Sequence, residues 1–153
     1  MLSPSFWNGR RVLLTGHTGF KGSWLALWLS ELGARVTGVG LEPEGDPHLF
    51  HQLRLSERIS HHIADIRDLD ALQSIASASD PEVVLHLAAQ PLVRRSYRDP
   101  LGTWSTNVQG SLNVLEALRS LGHPCAVVMI TTDKVYANQE WDYGYRENDR
   151  LGG

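Results

Sequence analysis

Apolar and polar positions follow two rhythms along this chain, and the switches between them predict its elements. Arg11 to Thr15 is an unbroken run of Val and Leu, the pattern of a parallel strand buried on both faces. From Phe20 to Leu32 the spacing becomes helical. Phe20, Trp24 and Trp28 share one stripe, with Leu25, Leu29 and Leu32 beside it, and this stripe is expected to be core. Gly33 follows as the residue just past the helix end. Ala34 to Leu41 reads as a second strand, and Glu42 to Ser56 as a loop with a short helical turn around Leu49 to Leu53. Ile59 to Ile66 reads as a third strand. Asp68 caps a helix to about Ser77 with Leu69, Leu72, Ile75 and Ala76 inward. Val83 to Ala88 is the fourth strand. Asp99-Pro100 opens a long helix to about Leu121, with Val108, Leu112, Leu115 and Leu118 on one face, and Gly122 ends it. Ala126 to Thr131 is the fifth strand. Residues 1–10, broken by Pro4 and Asn8-Gly9, read as a polar lead-in.

Strands and helices that alternate in this way predict an α/β fold, a doubly wound parallel sheet of Rossmann type. Right-handed crossovers then place the first strand centrally and give the order 3-2-1-4-5. Ligands of such sheets bind beyond the carboxyl ends of the strands. The residues in those positions are Gly16 to Gly22, Leu41-Glu42, Asp65-Ile66, Leu87 to Gln90 and Thr131 to Lys134.

The first of these segments has glycines at 16, 19 and 22. In a phosphate-binding turn the first lets the chain leave the strand tightly, the second lets backbone approach a pyrophosphate, and the third lets the helix lie close on the strand. The N–H groups of the first helical turn then face the anion. The alternative is a tight strand-to-helix turn without a ligand. Asp65 is placed to accept an adenine amine, with Ile66 to pack on the ring; the alternative for Asp65 is a charge at a helix start. Ala88 and Ala89 are small where a cofactor must pass close. Thr106 and Asn107 lie on the long helix near the ligand edge, as cofactor contacts or as tolerated polar helix residues. Thr131-Thr132-Asp133-Lys134 puts hydroxyls, a carboxylate and an ammonium beyond a buried strand end, where the fold rule points them into the crevice; the alternative is that Asp133 and Lys134 are a solvated turn pair. Lys21 and Lys134 are the chain's only lysines, and both fall on ligand-facing loops.

Composition narrows the function classes. The 153 residues suffice for one domain. A net charge of −3 without a basic stripe argues against a nucleic-acid partner, and Arg94, Arg95 and Arg98 read as a solvated face. His61 and His62 are neighbours that point to opposite faces of a strand, so no metal site is expected. The single cysteine, Cys125, reads as a small buried hydrophobe and fits a reducing compartment. Trp24 to Leu32 is too short for a membrane span and too late for a signal peptide, so a cytoplasmic protein with no membrane partner is expected.

Thr15-Gly16-His17-Thr18-Gly19-Phe20-Lys21-Gly22, Asp65-Ile66-Arg67-Asp68, His86-Leu87-Ala88-Ala89-Gln90, Asn107-Val108-Gln109-Gly110, Thr131-Thr132-Asp133-Lys134-Val135-Tyr136 and Gly144-Tyr145-Arg146-Glu147-Asn148 together resemble the extended short-chain dehydrogenase/reductases, the NAD-dependent epimerase/dehydratase family. The similarity is greatest to its CDP-glucose 4,6-dehydratase branch. It implies NAD as cofactor, held by Gly16, Thr18, Gly19, Phe20, Lys21, Gly22, Asp65, Ile66, Leu87, Ala88, Ala89, Thr106 and Thr131, with Gln90 toward the substrate. It implies a redox-neutral lyase reaction on CDP-glucose that gives the 4-keto-6-deoxy sugar, of use in deoxysugar synthesis for lipopolysaccharide O-antigen. Thr132 would hydrogen-bond the sugar C4 oxygen, and Asp133 would protonate the departing C6 hydroxyl. Lys134 would sit near the C5 proton, as base or as electrostatic stabiliser. Two departures stand out. The second strand ends in Gly40-Leu41 with Glu42 one or two places late for a ribose contact, although no arginine follows for a 2′-phosphate. The family's Tyr-x-x-x-Lys pair is absent. Residues 1–153 are therefore expected to be a truncated NAD-binding domain, lacking the carboxyl-terminal nucleotide-sugar-binding region and inactive alone. The full-length family member is expected to be a homodimer through the long helix, whose apolar face this chain should expose. A UDP-N-acetylglucosamine 4,6-dehydratase, a nucleotide-sugar epimerase and a non-catalytic dinucleotide-binding module are the competing readings.

Overall fold

Val12, Leu13 and Leu14 each lose almost all contact with solvent, which fixes β1 (Arg11–Thr15) as the centre of the molecule. The computed structural model describes residues 4–132 and 134–152. In it β1 pairs in parallel with β2 (Arg35–Gly40) on one side and β4 (Val83–His86) on the other. Beyond them lie β3 (Ser60–Ile63) and β5 (Ala126–Met129), so the order is β3-β2-β1-β4-β5, as the crossover rule predicts. Alternation along β1 divides the core. Val12 and Leu14 face a cluster with Ala26, Leu29, Val36, Phe50 and Leu55. Leu13 faces the other layer, with Val39, Ile66, Leu72, Val84, Val114 and Ala117.

The later strands stop short of their apolar runs. β3 ends at Ile63, β4 at His86 and β5 at Met129. The residues that follow leave the ladder and become the loops of the ligand edge, so continuing hydrophobicity there does not mark continuing strand. At the amino end, α1 (Pro4–Trp7) replaces the expected irregular lead-in. Proline suits the first turn of a helix, and Trp7 packs on the first core cluster.

Helix α2 (Phe20–Glu31) corrects the expected aromatic core. Phe20, Trp24 and Trp28 are 73%, 49% and 64% exposed, and the buried side is Gly22, Ser23, Ala26 and Leu29. The helix is apolar around most of its circumference, so periodicity alone does not pick its inner face. Small residues let it lie close on the sheet, and the Ser23 hydroxyl donates to the His17 carbonyl at 3.0 Å. Replacement of Trp28 by Gln is therefore expected to cost no more than about 0.5 kcal/mol in a urea titration, whereas Leu29→Ala costs about 2–4 kcal/mol. A loss above about 2 kcal/mol for the tryptophan variant would restore it to the core.

After α3 (Leu49–Gln52) and a 3-10 turn (Leu55–Glu57), helix α4 (Leu69–Ser79) starts at Asp68, whose side chain accepts from the Ala71 N–H at 3.0 Å, as expected. A short helix α5 (Val93–Arg98) precedes the long one. The long helix has three parts: α6 (Pro100–Trp104), a π-helical segment (Ser105–Gly110) and α7 (Ser111–Leu118). Its inner side is Gly110, Asn113, Val114 and Ala117, and Leu101, Trp104, Val108, Leu112 and Leu115 face outward. The chain thus exposes an apolar face, as the resemblance implied, but Leu118, expected on it, packs against the second core cluster.

Candidate functional site

The glycine-spaced turn sits at the end of β1. Gly16 adopts φ +76°, and a Cβ on it would lie 2.8 Å from the Ala88 nitrogen. Its own N–H donates to the Val39 carbonyl at 2.7 Å. The Gly19 N–H donates to the Gly16 carbonyl at 3.0 Å, which closes the turn. A Cβ on Gly22 would strike the Gly16 carbonyl oxygen and lie 2.9 Å from the His17 Cα. The first glycine therefore makes the tight turn and the third lets the helix lie close, as the spacing predicts. Gly19 is different. A Cβ there would meet only the Gly16 oxygen, at 3.4 Å, and the residue lines a cleft. No side chain caps the N-terminus of α2, which leaves its first N–H groups to other acceptors.

That cleft, about 670 Å³, lies across the carboxyl ends of the strands. Of the expected cofactor residues, Gly16, Thr18, Gly19, Phe20, Lys21, Gly22, Asp65, Ile66, Leu87, Ala88, Ala89, Thr106 and Thr131 all line it, and so does Gln90. The floor is open backbone at a helix start, and the walls combine small or apolar residues such as Ala88, Ala89 and Leu41 with polar and charged ones such as Lys21, Asp65 and Arg67. This donor set fits a dinucleotide with its pyrophosphate on the turn.

Two expected contacts have added detail. The Asp65 carboxylate is gripped by Arg67 through Nε at 3.0 Å and Nη2 at 2.5 Å, and it accepts the Arg67 N–H at 2.9 Å. The Arg67 guanidinium holds the Asp65 carboxyl below its ordinary range. Ile66 lines the cleft but is only 4% exposed. It fills the space left by the missing Cβ of Gly110, and is thus a core residue first. Asn107 is not in the lining. Its side chain spans the Gln90 backbone, accepting from the N–H at 2.7 Å and donating to the carbonyl at 3.1 Å. The Gln90 amide donates to the Thr103 hydroxyl at 2.9 Å and accepts the Leu92 N–H at 2.8 Å.

Thr131 reaches the cleft, but Thr132 and Lys134 do not line it. Both are exposed, and the Thr132 hydroxyl accepts the Lys134 N–H at 3.0 Å. Asp133 lies outside the described residues. Leu41 lines the cleft and Glu42 does not. The sequence pattern missed Arg67, Arg95, Asp99 and Gly102 in the lining. It also missed His86, a polar residue inside an apolar strand and 2% exposed. Its Nδ1 lies 2.6 Å from the Thr15 hydroxyl and its Nε2 lies 3.0 Å from that of Ser111. Its polarity within the run Val83 to Leu87 was the available signal.

A sequence profile described as GDP-mannose 4,6 dehydratase matches residues 13–152. The chain belongs to the GDP-mannose 4,6 dehydratase family. Within this dehydratase family it is 52% identical over all 153 residues to the CDP-glucose 4,6-dehydratase of Salmonella typhimurium, and it spans 43% of that protein. It is 37% identical over 113 residues to a GDP-mannose 4,6-dehydratase of Sordaria araneosa, which covers 74% of this chain and 21% of that one. Among solved structures, the UDP-glucose-4-epimerase of Stenotrophomonas maltophila with bound NAD and formylated UDP-arabinopyranose superimposes with a TM-score of 0.81 at 27% identity. That match covers 94% of this chain and 43% of the epimerase. This member of the dehydratase family thus spans less than half the length of these relatives.

Proposed function

We propose that the chain is the cofactor-binding part of an NAD-dependent nucleotide-sugar 4,6-dehydratase that acts on CDP-glucose. The observation that carries this reading is 52% identity, across the whole chain, to an enzyme of that activity. The glycine turn opening onto the strand-end cleft supports it, and so does the fit of that cleft to a dinucleotide. NAD, when bound, supplies a reversible acceptor for a hydride. This chain's residues supply the contacts that follow, and the base that takes the C4 hydroxyl proton, the tyrosine of the Tyr-x-x-x-Lys pair, is not among them. Backbone N–H groups of the Gly16 to Gly22 turn hold the pyrophosphate. Asp65 accepts the adenine amine, Ala88 and Ala89 give the cofactor room, and Thr106 and Thr131 flank its path. Gln90 faces the sugar. Thr132 hydrogen-bonds the sugar C4 oxygen, and Asp133 gives a proton to the departing C6 oxygen. Lys134 stands by the C5 proton, as its acceptor or as a charge that stabilises the enolate. The same reading makes the working enzyme a cytoplasmic homodimer joined through the exposed face of α6 and α7, in deoxysugar synthesis of the O-antigen kind.

The test is a chimera of this chain with the remaining length of the Salmonella relative. It is expected to turn over CDP-glucose in preference to UDP-N-acetylglucosamine, and Lys134→Met is expected to slow it by about a hundredfold or more. Unchanged turnover in that variant ends both roles of Lys134. A chimera that turns over only the UDP-sugar, or that epimerises without loss of water, overturns the assignment.

A further inference from the structure

The Thr15 hydroxyl oxygen sits where β1 meets β4, and it accepts two N–H groups, from Leu87 at 3.2 Å and Ala88 at 3.1 Å. The Leu87 N–H is shared with the Thr15 carbonyl, also at 3.2 Å, and the hydroxyl lies 2.6 Å from His86 Nδ1. The Ser111 hydroxyl, 3.0 Å from Nε2, accepts there because its own proton is used elsewhere, so neutral His86 carries its proton on Nε2 and its Nδ1 takes the Thr15 proton. Ser111 in turn donates to the Asn107 carbonyl at 2.7 Å, inside the π-helical segment. The Asn107 amide holds the Gln90 backbone from both sides. The Ser111 proton on the Asn107 carbonyl sets the direction of these bonds, from the end of β1 to the loop after β4. Ala88, the residue held by Thr15, is also the one against which Gly16 packs. π segments recur at functional positions, and this one carries the far end of the relay.

We infer that His86 is a positioning residue of the cofactor site. As the neutral Nε2–H tautomer it locks the β4 end beneath the glycine turn and ties that turn to the Gln90 loop. A second proton, on Nδ1, would take away the acceptor of the Thr15 hydroxyl proton and set two donors face to face at 2.6 Å, so the hydroxyl must turn its proton away from His86. Burial is the cause that lowers the His86 pKa, and no charged group contributes to that shift. The relay is thus intact above the ordinary histidine range and opens as the pH falls below it. The cofactor part of this inference rests on the NAD reading above.

The experiment follows the wild-type chain, Ser111→Ala and Thr15→Val, with Thr15→Ser as the conservative rescue. Nitrogen-15 spectra of the imidazoles are expected to show the Nε2–H tautomer for His86 at pH 7.5. Hydrogen exchange at the Gln90 and Ala88 amides is expected to quicken tenfold or more in Thr15→Val, and that of Gln90 in Ser111→Ala, relative to core amides such as that of Val84. Thr15→Ser restores the wild-type rates. NAD titrated by calorimetry is expected to bind about tenfold more weakly to Ser111→Ala, and to weaken in the wild type from pH 7.5 to 5.5. An Nδ1–H tautomer, or exchange unchanged in both disrupting variants, overturns the relay. If wild-type chain binds no NAD at any pH while tautomer and exchange behave as stated, the NAD reading falls and the relay stands. If NAD binds equally to every variant and at both pH values, the relay does not position the cofactor site and the inference fails.

Discussion

Gly22→Ala is expected to destabilise the chain by about 2–4 kcal/mol, although alanine is the better helix former by about 1 kcal/mol. The added methyl would meet the Gly16 carbonyl oxygen, with the Gly16 carbonyl carbon at 2.7 Å and the His17 Cα at 2.9 Å. All three are backbone atoms, so no side chain can swing aside, and the start of α2 has to lift from the turn. That displacement separates the Gly16 to Gly22 backbone from Gly19 and opens the proposed pyrophosphate cradle, so NAD binding should fall below detection. Gly19→Ala supplies the contrast. Its methyl has only the Gly16 oxygen nearby, at 3.4 Å, so stability should change by less than about 0.5 kcal/mol. The methyl stands at the cleft surface, however, and NAD should bind tenfold or more weakly. Urea unfolding and NAD titration of both variants separate the packing role from the binding role. Equal stability of Gly22→Ala and wild type would show that the close approach of helix and turn is not needed.

This division of labour among three glycines is legible in the sequence, because glycine spacing encodes backbone geometry directly. The sheet order is legible for a similar reason, since handedness leaves few arrangements of five alternating strands. The inner face of α2 is not. Its small residues and its aromatics both recur at helical spacing, and the choice between them depends on how closely the helix meets Gly16 and His17. Strand ends are overrun because Ala64 and Ile66, Leu87 and Ala88, and Ile130 keep an apolar character after the ladder stops: Ile66 belongs to the second core cluster, and Ala64 and Ala88 pack on it. The candidate site reads well where contact is made by backbone or by residues next to a strand end. It reads poorly where side chains distant in sequence converge. Thr15 and His86 are 71 residues apart, and His86 and Ser111 are 25 apart. No local pattern couples them, and only the fold brings them to one point beneath the turn.

Acid is expected to destabilise the chain through His17, the residue just after Gly16. Its ring is fully buried, with centroids 5.4 Å from Phe50 and 5.8 Å from His61, and it occupies space that exists because Gly38 has no Cβ. Neither ring nitrogen has a hydrogen-bond partner. Burial, with smaller contributions from His61 and His62, lowers its pKa from 6.5 to about 4, and the nearby Val39 backbone offsets only part of this. The folded state therefore binds the proton more weakly than the unfolded state. The stability that this confers is complete above pH 6.5 and is lost as the pH falls from 6.5 through 4, where His17 charges in place. A drop of that size corresponds to about 3 kcal/mol. His86, lowered in the same direction by burial, adds to the trend. Asp65 and Glu82, whose pKa values are also lowered, contribute at more acidic pH. A His17→Leu variant retains all three, so its difference from wild type isolates His17. Urea titrations at pH 8, 6, 5 and 4 should show wild type losing about 2–3 kcal/mol more than the variant across the series. Parallel losses in the two proteins would mean that the ring under the glycine turn is already solvated at neutral pH, or finds a partner for its proton on folding.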